Sequence, residues 1–269
     1  MNILIAGSGG ADGIPSFFSD SEVSRYAREH GGKDVRSRAA AIVDSAIKID
    51  FGPDTYAQCS NLGLKASDWK HVLFTHSHFD HYAPGLFQYA FPPFTEENST
   101  TPIIWGNQAI LSGFSNAFED QDKLEKRLLK SFAPVHIDGY FVTPIRAYHK
   151  LDEDSLNLII EKDGKSLLYA VDTGVYQEET WEFLAGRRFD VAVIECADGF
   201  LPADYWGHLS CEELVPVVER LRNIGCLDGA SIVCTTHHAH TGMATHAQLE
   251  ERLNPDGIEV GFDGKLINF

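Results

Sequence analysis

Long apolar runs are missing from this 269-residue chain: the first, Ile3 to Ala6, is far too short for a signal peptide, and no later segment approaches the length of a membrane span. No membrane partner is therefore expected, and a cytoplasmic location is. Cysteine is scarce. Cys59, Cys196, Cys211, Cys226 and Cys234 are scattered without a C-x-x-C pair, which argues against both a disulfide framework and a cysteine-built zinc site, and free thiols are expected. Positive charge is also short, with 22 Lys and Arg against 39 Asp and Glu, a formal charge of -17 and a pI near 5.0. Such a surface repels a polyanion, so no long nucleic acid is expected as a partner. A small anion can still bind where metal ions or a few arginines reverse the local sign. No repeat, low-complexity tract or Pro/Gly/Ser-rich linker divides the chain, and one domain over residues 1–269 is the economical reading.

The 43% of hydrophobic residues suffices for a full core. Short apolar runs predict strands at Asn2 to Ala6, Ala39 to Val43, Ala46 to Asp50, His71 to Phe74, Pro102 to Trp105, Tyr140 to Ala147, Leu156 to Ile160, Ser166 to Val171, Val191 to Ile194 and Ser231 to Cys234. Helical stretches are predicted at Ala109 to Ala117, Lys123 to Lys130, Glu178 to Ala185, Cys211 to Asn223 and Ala247 to Leu253, with a further one around Pro84 to Gln88. Strand pairs followed by strand-helix alternation suggest two packed sheets with helices outside. The polar residues of interest fall just past strand ends, where loops on a rigid scaffold assemble sites.

The segment Leu73-Phe-Thr-His-Ser-His-Phe-Asp-His81 places three imidazoles and a carboxylate within six positions. These are ligands for zinc, manganese or iron, and alternation in a loop lets His76 and His78 face one ion while Asp80 and His81 turn to a second. The string H-x-H-x-D-H after an apolar strand and a threonine resembles the signature of the metallo-β-lactamase superfamily, and the resemblance extends over nearly the whole chain. It implies an α/β fold, a four-layer αββα sandwich, with the site along one edge of the two sheets. It also implies three further ligands at strand ends: His149 in Arg146-Ala-Tyr-His149, Asp172 in Ala170-Val-Asp-Thr-Gly174 as a bridge between two ions, and His237 in Cys234-Thr-Thr-His237. Taken singly, His149 and His237 read as ordinary polar histidines and Asp172 as a helix cap. His238 competes with His237 for the last place, and the threonine before His237 favours the latter. His76, His78 and His149 would then hold one divalent transition ion and Asp80, His81 and His237 another, zinc or manganese or iron. A pair of ions roughly 3.5 to 4 Å apart supplies a bridging hydroxide as nucleophile.

Beyond the ligands, Ile5-Ala-Gly-Ser-Gly-Gly-Ala-Asp-Gly-Ile-Pro15 and the C-terminal Leu253 to Gly264 stretch resemble the phosphodiesterase branch of the family, which includes ribonuclease Z and the phosphoribosyl cyclic phosphate phosphodiesterase. The glycines do not meet the dinucleotide spacing, and a plain glycine turn is the alternative. In Trp206-Gly-His-Leu-Ser210 the resemblance implies acid catalysis by His208, whose other reading is a neighbour of a helix cap; Asp80 and His208 are the side chains assigned to catalysis. The branch's cysteine cluster for a structural zinc has no counterpart between Ser16 and Gly32, so that zinc is expected to be absent, leaving His240 as its orphaned partner. The insert Ser19 to Lys33 offers Arg25, Tyr26, Arg28 and His30 as a charged helix and loop. Arg36 and Arg38 follow, and with His240 they are the substrate-binding candidates. The expected function is hydrolysis of a small, cyclic or nucleotide-like phosphodiester, with a homodimer admitted. Thioester or lactone hydrolysis is the alternative within enzymes, favoured by an apolar pocket without arginine near the metals. A non-catalytic accessory role of the coenzyme PQQ biosynthesis type is the alternative outside them.

Overall fold

A computed structural model of the chain, describing residues 1–96, 101–202 and 205–269, folds as two seven-stranded sheets packed face to face with helices on both outer sides. The first sheet holds β1 (Asn2–Gly7), β2 (Ala40–Val43), β3 (Ile47–Ile49), β4 (His71–Leu73), β5 (Ile103–Gly106), β6 (Lys126–Leu128) and, beside β1, the last strand β14 (Lys265–Asn268). The second runs from β7 (Val135–Ile137) through β8 (Tyr140–Arg146), β9 (Leu156–Lys162), β10 (Lys165–Ala170), β11 (Val191–Glu195) and β12 (Ile232–Thr236) to β13 (Ile258–Glu259). Pairing is antiparallel from β7 to β10 and parallel from β10 to β13. Parallel pairing needs crossovers, and α4 (Glu178–Leu184) and α5 (Cys211–Asn223) lie on those connections, with α6 (His246–Leu253) on the one before β13.

The two-residue period of a strand sorts the core into layers. In β10, Leu167 and Tyr169 join Ile3, Ile5, Ile47, Ile49 and Leu73 of the first sheet between the sheets, while Leu168 and Ala170 pack outward against Trp181, Leu214 and Leu249. A sheet covered on both faces explains why these strands read as unbroken apolar runs. On the far side of the first sheet Val72, Phe74 and Ile104 pack on Phe87 and Phe114, from a 3-10 segment at Pro84–Ala90 and the end of α3 (Gln108–Gly113). The expected αββα arrangement is thus the observed one.

All ten expected strands are present within a residue or two of their predicted ends, and α5 has its predicted bounds. Two differences stand out. Lys123 to Lys130 is not helical: it contains the edge strand β6, paired with β5, and only Leu124 and Leu129 of the segment are buried, a spacing that fits no helix face. A second helix, α2 (Thr55–Leu62), was not foreseen, because Tyr-Ala-Gln-Cys-Ser-Asn carries no clear apolar stripe. The insert forms α1 (Glu22–His30), N-capped by Ser21.

Candidate metal centre

The expected ligands sit just past buried strands, whereas His208 lies in the loop before α5. Leu73 closes β4 and the chain runs through Thr75 into His76, His78, Asp80 and His81; Asp172 follows β10, Glu195 ends β11 and His237 follows β12. Asp50, Asp172 and His237 all adopt positive φ, 59°, 48° and 58°, which costs non-glycine residues energy and recurs where a site dictates the backbone. Space at the edge is tight. A Cβ on Gly52 would lie 1.9 Å from Asp80 O, and one on Gly174 would lie 1.8 Å from Trp206 O, so only glycine lets these loops close on the site.

The seven expected ligands converge in two groups, His76 with His78 and His149, and Asp80 with His81, Asp172 and His237, each able to offer its atoms within 4.8 Å of one another. Asp172 stands between them: Oδ1 lies 3.5 Å from His149 Nε2, and Oδ2 lies 2.7 Å from His81 Nε2 and 3.1 Å from His237 Nε2. One oxygen per group is the geometry a bridging carboxylate needs. Asp80 Oδ2 lies 2.9 Å from His81 Nε2 and 3.6 Å from His237 Nε2. Of the adjacent histidines, His237 faces the carboxylates, while His238 turns away to Thr235 Oγ1 at 3.0 Å.

These groups fit cations. His76 Nε2, His81 Nε2, Asp172 Oδ2 and both ring nitrogens of His237 are buried without a hydrogen-bond partner, although buried polar atoms are nearly always paired. Burial, then His81, pulls the His76 pKa well below its usual value, and burial lowers that of His149, which leaves neutral imidazoles with lone pairs to donate. Burial would raise the carboxyl groups of Asp80 and Asp172, but the facing imidazoles outweigh it and hold both well below the usual carboxylate range. His81 differs: burial lowers its pKa, but Asp80, Asp172 and Asp50 outweigh that and raise it well above its usual value, so a cation bound there would displace a proton. Buried carboxylates beside imidazoles are the donor set of zinc, manganese or iron.

A ring of supports fixes the donors, as is usual behind metal-ligating histidines. The wholly buried Asp50 accepts from His81 Nδ1 at 2.8 Å and from Thr75 N at 2.9 Å. His149 Nδ1 donates to Gly207 O at 2.9 Å. Glu195, also wholly buried, accepts from Thr173 N, Ala197 N and Leu209 N and takes His208 Nδ1 at 2.8 Å. Burial lowers the His208 pKa, but Glu195, Asp172 and Asp198 outweigh it and raise the pKa to about 10. Neither Asp50 nor Glu195 was anticipated from the sequence, where the only signal is an acid at the end of an apolar run.

Three of the expected site residues do not reach the pocket. Arg36 is 3% exposed and spends its guanidinium on Ser8 Oγ, Gly261 O and His246 Nδ1. Arg38 donates to Ala11 O and pairs with Asp54 at 2.6 Å, bracing the glycine loop from behind. His240 divides its ring between Ser21 Oγ at 3.0 Å and Asp12 Oδ2 at 2.9 Å, joining α1 to that loop. In the insert, Arg25 and Arg28 turn to Asp20 and to backbone carbonyls, and His30 stacks on Tyr26. The cavity beside the two groups holds about 310 Å³ and is lined instead by Gly10, Ala11, Asp12, Asp198, Tyr205 and Thr241 besides His208 and five of the expected ligands, His78, Asp80, His149, Asp172 and His237. A smaller apolar cavity, about 170 Å³ between Phe51, Trp69 and Phe87, is lined by no acid or histidine among the described residues.

Residues 46–238, more than half of the chain and spanning all seven expected ligands, match the family model described as a beta-lactamase superfamily domain. The chain belongs to the metallo-β-lactamase superfamily. No curated protein matches it. Among solved structures of this fold, a diphosphatase from the PhnP family superposes with a TM-score of 0.79 at 20% identity, over 100% of this chain and 96% of that one. Zn²⁺-bound PqqB from Methylobacterium extorquens gives 0.76 at 16% identity, covering 100% of both. The short form of human tRNase Z gives 0.67 at 16% identity, over 100% of this chain and 99% of that one. At these identities the likeness is one of fold. This superfamily member thus joins a metallohydrolase fold to side-chain groups able to hold metals, and no helix among the described residues is long and apolar enough to cross a membrane.

Proposed function

We propose that this protein is a two-metal hydrolase of small phosphodiesters. His76, His78 and His149 would hold one ion, Asp80, His81 and His237 the other, and Asp172 would bridge. Bound there, two divalent ions would supply Lewis acidity toward a phosphoryl oxygen and a water acidified toward neutrality. The remaining work falls to the chain. Asp50, Thr75 and Gly207 hold the imidazoles in orientation, and the cavity of about 310 Å³ admits a small molecule rather than a folded nucleic acid.

The observation that carries the reading is the pair Glu195–His208. The buried carboxylate of Glu195 accepts from His208 Nδ1 at 2.8 Å and favours its protonated form beside Asp172, 3.8 Å from Nδ1 to Oδ1, where the ring faces the cavity. A protonated imidazole at that place serves a poor leaving group, an alkoxide that must take a proton as the bond breaks. A thiolate leaves without one, so thioester hydrolysis needs the pair less; in an accessory protein without catalysis its task would be metal binding, since Glu195 and His208 also group with Asp172 and His237. A lactone would use it as well, and the lack of arginine in the cavity lining among the described residues is the feature expected of that alternative, although Asp12 and Asp198 on the wall are not apolar. The fold shared with a PhnP-family diphosphatase and with tRNase Z supports a phosphoester. Purified protein supplied with Mn²⁺ should hydrolyse bis(p-nitrophenyl) phosphate; release of p-nitrophenol no faster than in buffer would remove the proposal.

A further inference from the structure

The cavity's charge pattern bears on its substrate. Among the described residues no lysine or arginine lines it, and the arginines nearest in sequence are committed elsewhere, Arg36 to the interior and Arg38 to Ala11 and Asp54. Two carboxylates that belong to neither expected ligand group stand on its wall. Asp12 projects from the glycine loop, its position fixed by His240 at 2.9 Å, and Asp198 follows β11, where its own N–H is tied to Leu209 O at 3.1 Å. Asp198 has no ion pair and no side-chain hydrogen bond among the described residues. On the floor, the unpartnered buried atoms of Asp172 and His237 are where an anion's counter-charge would be held.

We infer that the pocket selects singly charged phosphodiesters whose organic arm carries hydrogen-bond donors, and rejects substrates with a second phosphate. This rests on the phosphodiesterase reading. The single negative charge of a diester lies over the metal groups. Whatever extends outward then meets Asp12 and Asp198, which accept from hydroxyl groups and repel phosphate. Like charges brought together in a half-buried cavity lose more than they do in bulk water, because less solvent screens them. Such repulsion is a means of specificity distinct from any attractive contact. The rejection would set this chain apart from a fold relative that is itself a diphosphatase.

A matched pair of chromogenic probes tests it: thymidine 5′-(p-nitrophenyl phosphate) and the same compound phosphorylated on its 3′ hydroxyl. The first should be hydrolysed with a kcat/KM at least about tenfold higher, and the double variant D12N/D198N should narrow that ratio to within about twofold. Calorimetric binding of the non-hydrolysable methylenephosphonate analogues of both probes to the metal-loaded native protein reads the same preference without turnover. Equal kcat/KM for the two, or a ratio that the double variant leaves unchanged, overturns the charge selection while leaving the phosphodiesterase reading in place. Discrimination in binding without turnover of either probe by the native protein sinks the phosphodiesterase reading and supports the selection.

Discussion

Replacing Glu195 by glutamine removes one charge and almost no volume, and its consequences can be worked from the contacts. Oε1 takes Thr173 N at 2.8 Å and His208 Nδ1 at 2.8 Å, while Oε2 takes Ala197 N at 3.0 Å and Leu209 N at 3.1 Å. Two unit charges about 4 Å apart at an effective dielectric of about 20 interact by about 4 kcal/mol, and with half of that lost to relaxation about 2 kcal/mol remains. At 1.36 kcal/mol per unit this lowers the His208 pKa by about 1.5. Because the acid acts in its protonated form, activity falls as pH rises through that pKa. Metal cations nearby displace the limb equally in both proteins, so the difference between them survives. The descending limb of kcat against pH should therefore move to lower pH by roughly one to two units in Glu195→Gln. The new amide NH₂ also faces backbone donors, and losing those bonds costs about 2 to 4 kcal/mol of stability, roughly 10 °C in Tm. A variant that unfolds earlier and turns over more slowly but keeps the native limb would refute the role given to Glu195.

Other outcomes follow from the same geometry. His208→Ala should keep its metal content while losing about 10² to 10⁴ in kcat toward a phosphodiester with an alkoxide leaving group, and far less toward a p-nitrophenyl ester, measured beside elemental analysis; substantial metal loss would show that His208 is a ligand instead. Asp172→Ala should weaken both ions at once, and two full equivalents retained after dialysis would count against the bridge. Arg36→Ala strands His246 and Gly261 in the interior and should cost about 3 kcal/mol in denaturant unfolding, with KM unchanged where folding persists. Lys48 is wholly buried in β3, its ammonium 5.6 Å over Trp69 and donating, among the described residues, only to Ile49 O, and burial lowers its pKa to about 7. The unfolded chain binds that proton more tightly between pH 7 and 10.5, so this residue's contribution to stability rises with pH across that window. Lys48→Met should stabilise the protein on the order of 2 kcal/mol at pH 7 and by less at pH 10; a gain that does not shrink with pH contradicts the assignment.

The contrast between what the sequence disclosed and what it hid follows from the physics of each residue. His76, His78, Asp80 and His81 were legible because four donors packed into six positions have no competing structural use. His149, Asp172 and His237 became legible only through order and strand ends, since each residue alone is ambiguous. Asp50 and Glu195 were hidden because a supporting carboxylate has no spacing of its own; what marks it is burial at a strand end, which only tertiary structure reveals. Arg36, Arg38 and His240 misled for a related reason. An arginine after a glycine loop reads as an anion binder, yet Ser8, Gly261 and Asp54 claimed the guanidinium groups first. The edge strand β6 hid in a charged run because one side of an edge faces solvent and needs no apolar alternation.

The central claim is that seven side chains from distant parts of the sequence enclose two cations. Elemental analysis of protein purified without chelator, joined to an anomalous diffraction map, tests it directly. Two ions should appear, one within about 2.2 Å of nitrogens from His76, His78 and His149, the other similarly near His81 and His237, with an Asp172 oxygen on each. A map with no anomalous density at these residues after soaking in Zn²⁺ or Mn²⁺ would contradict the account.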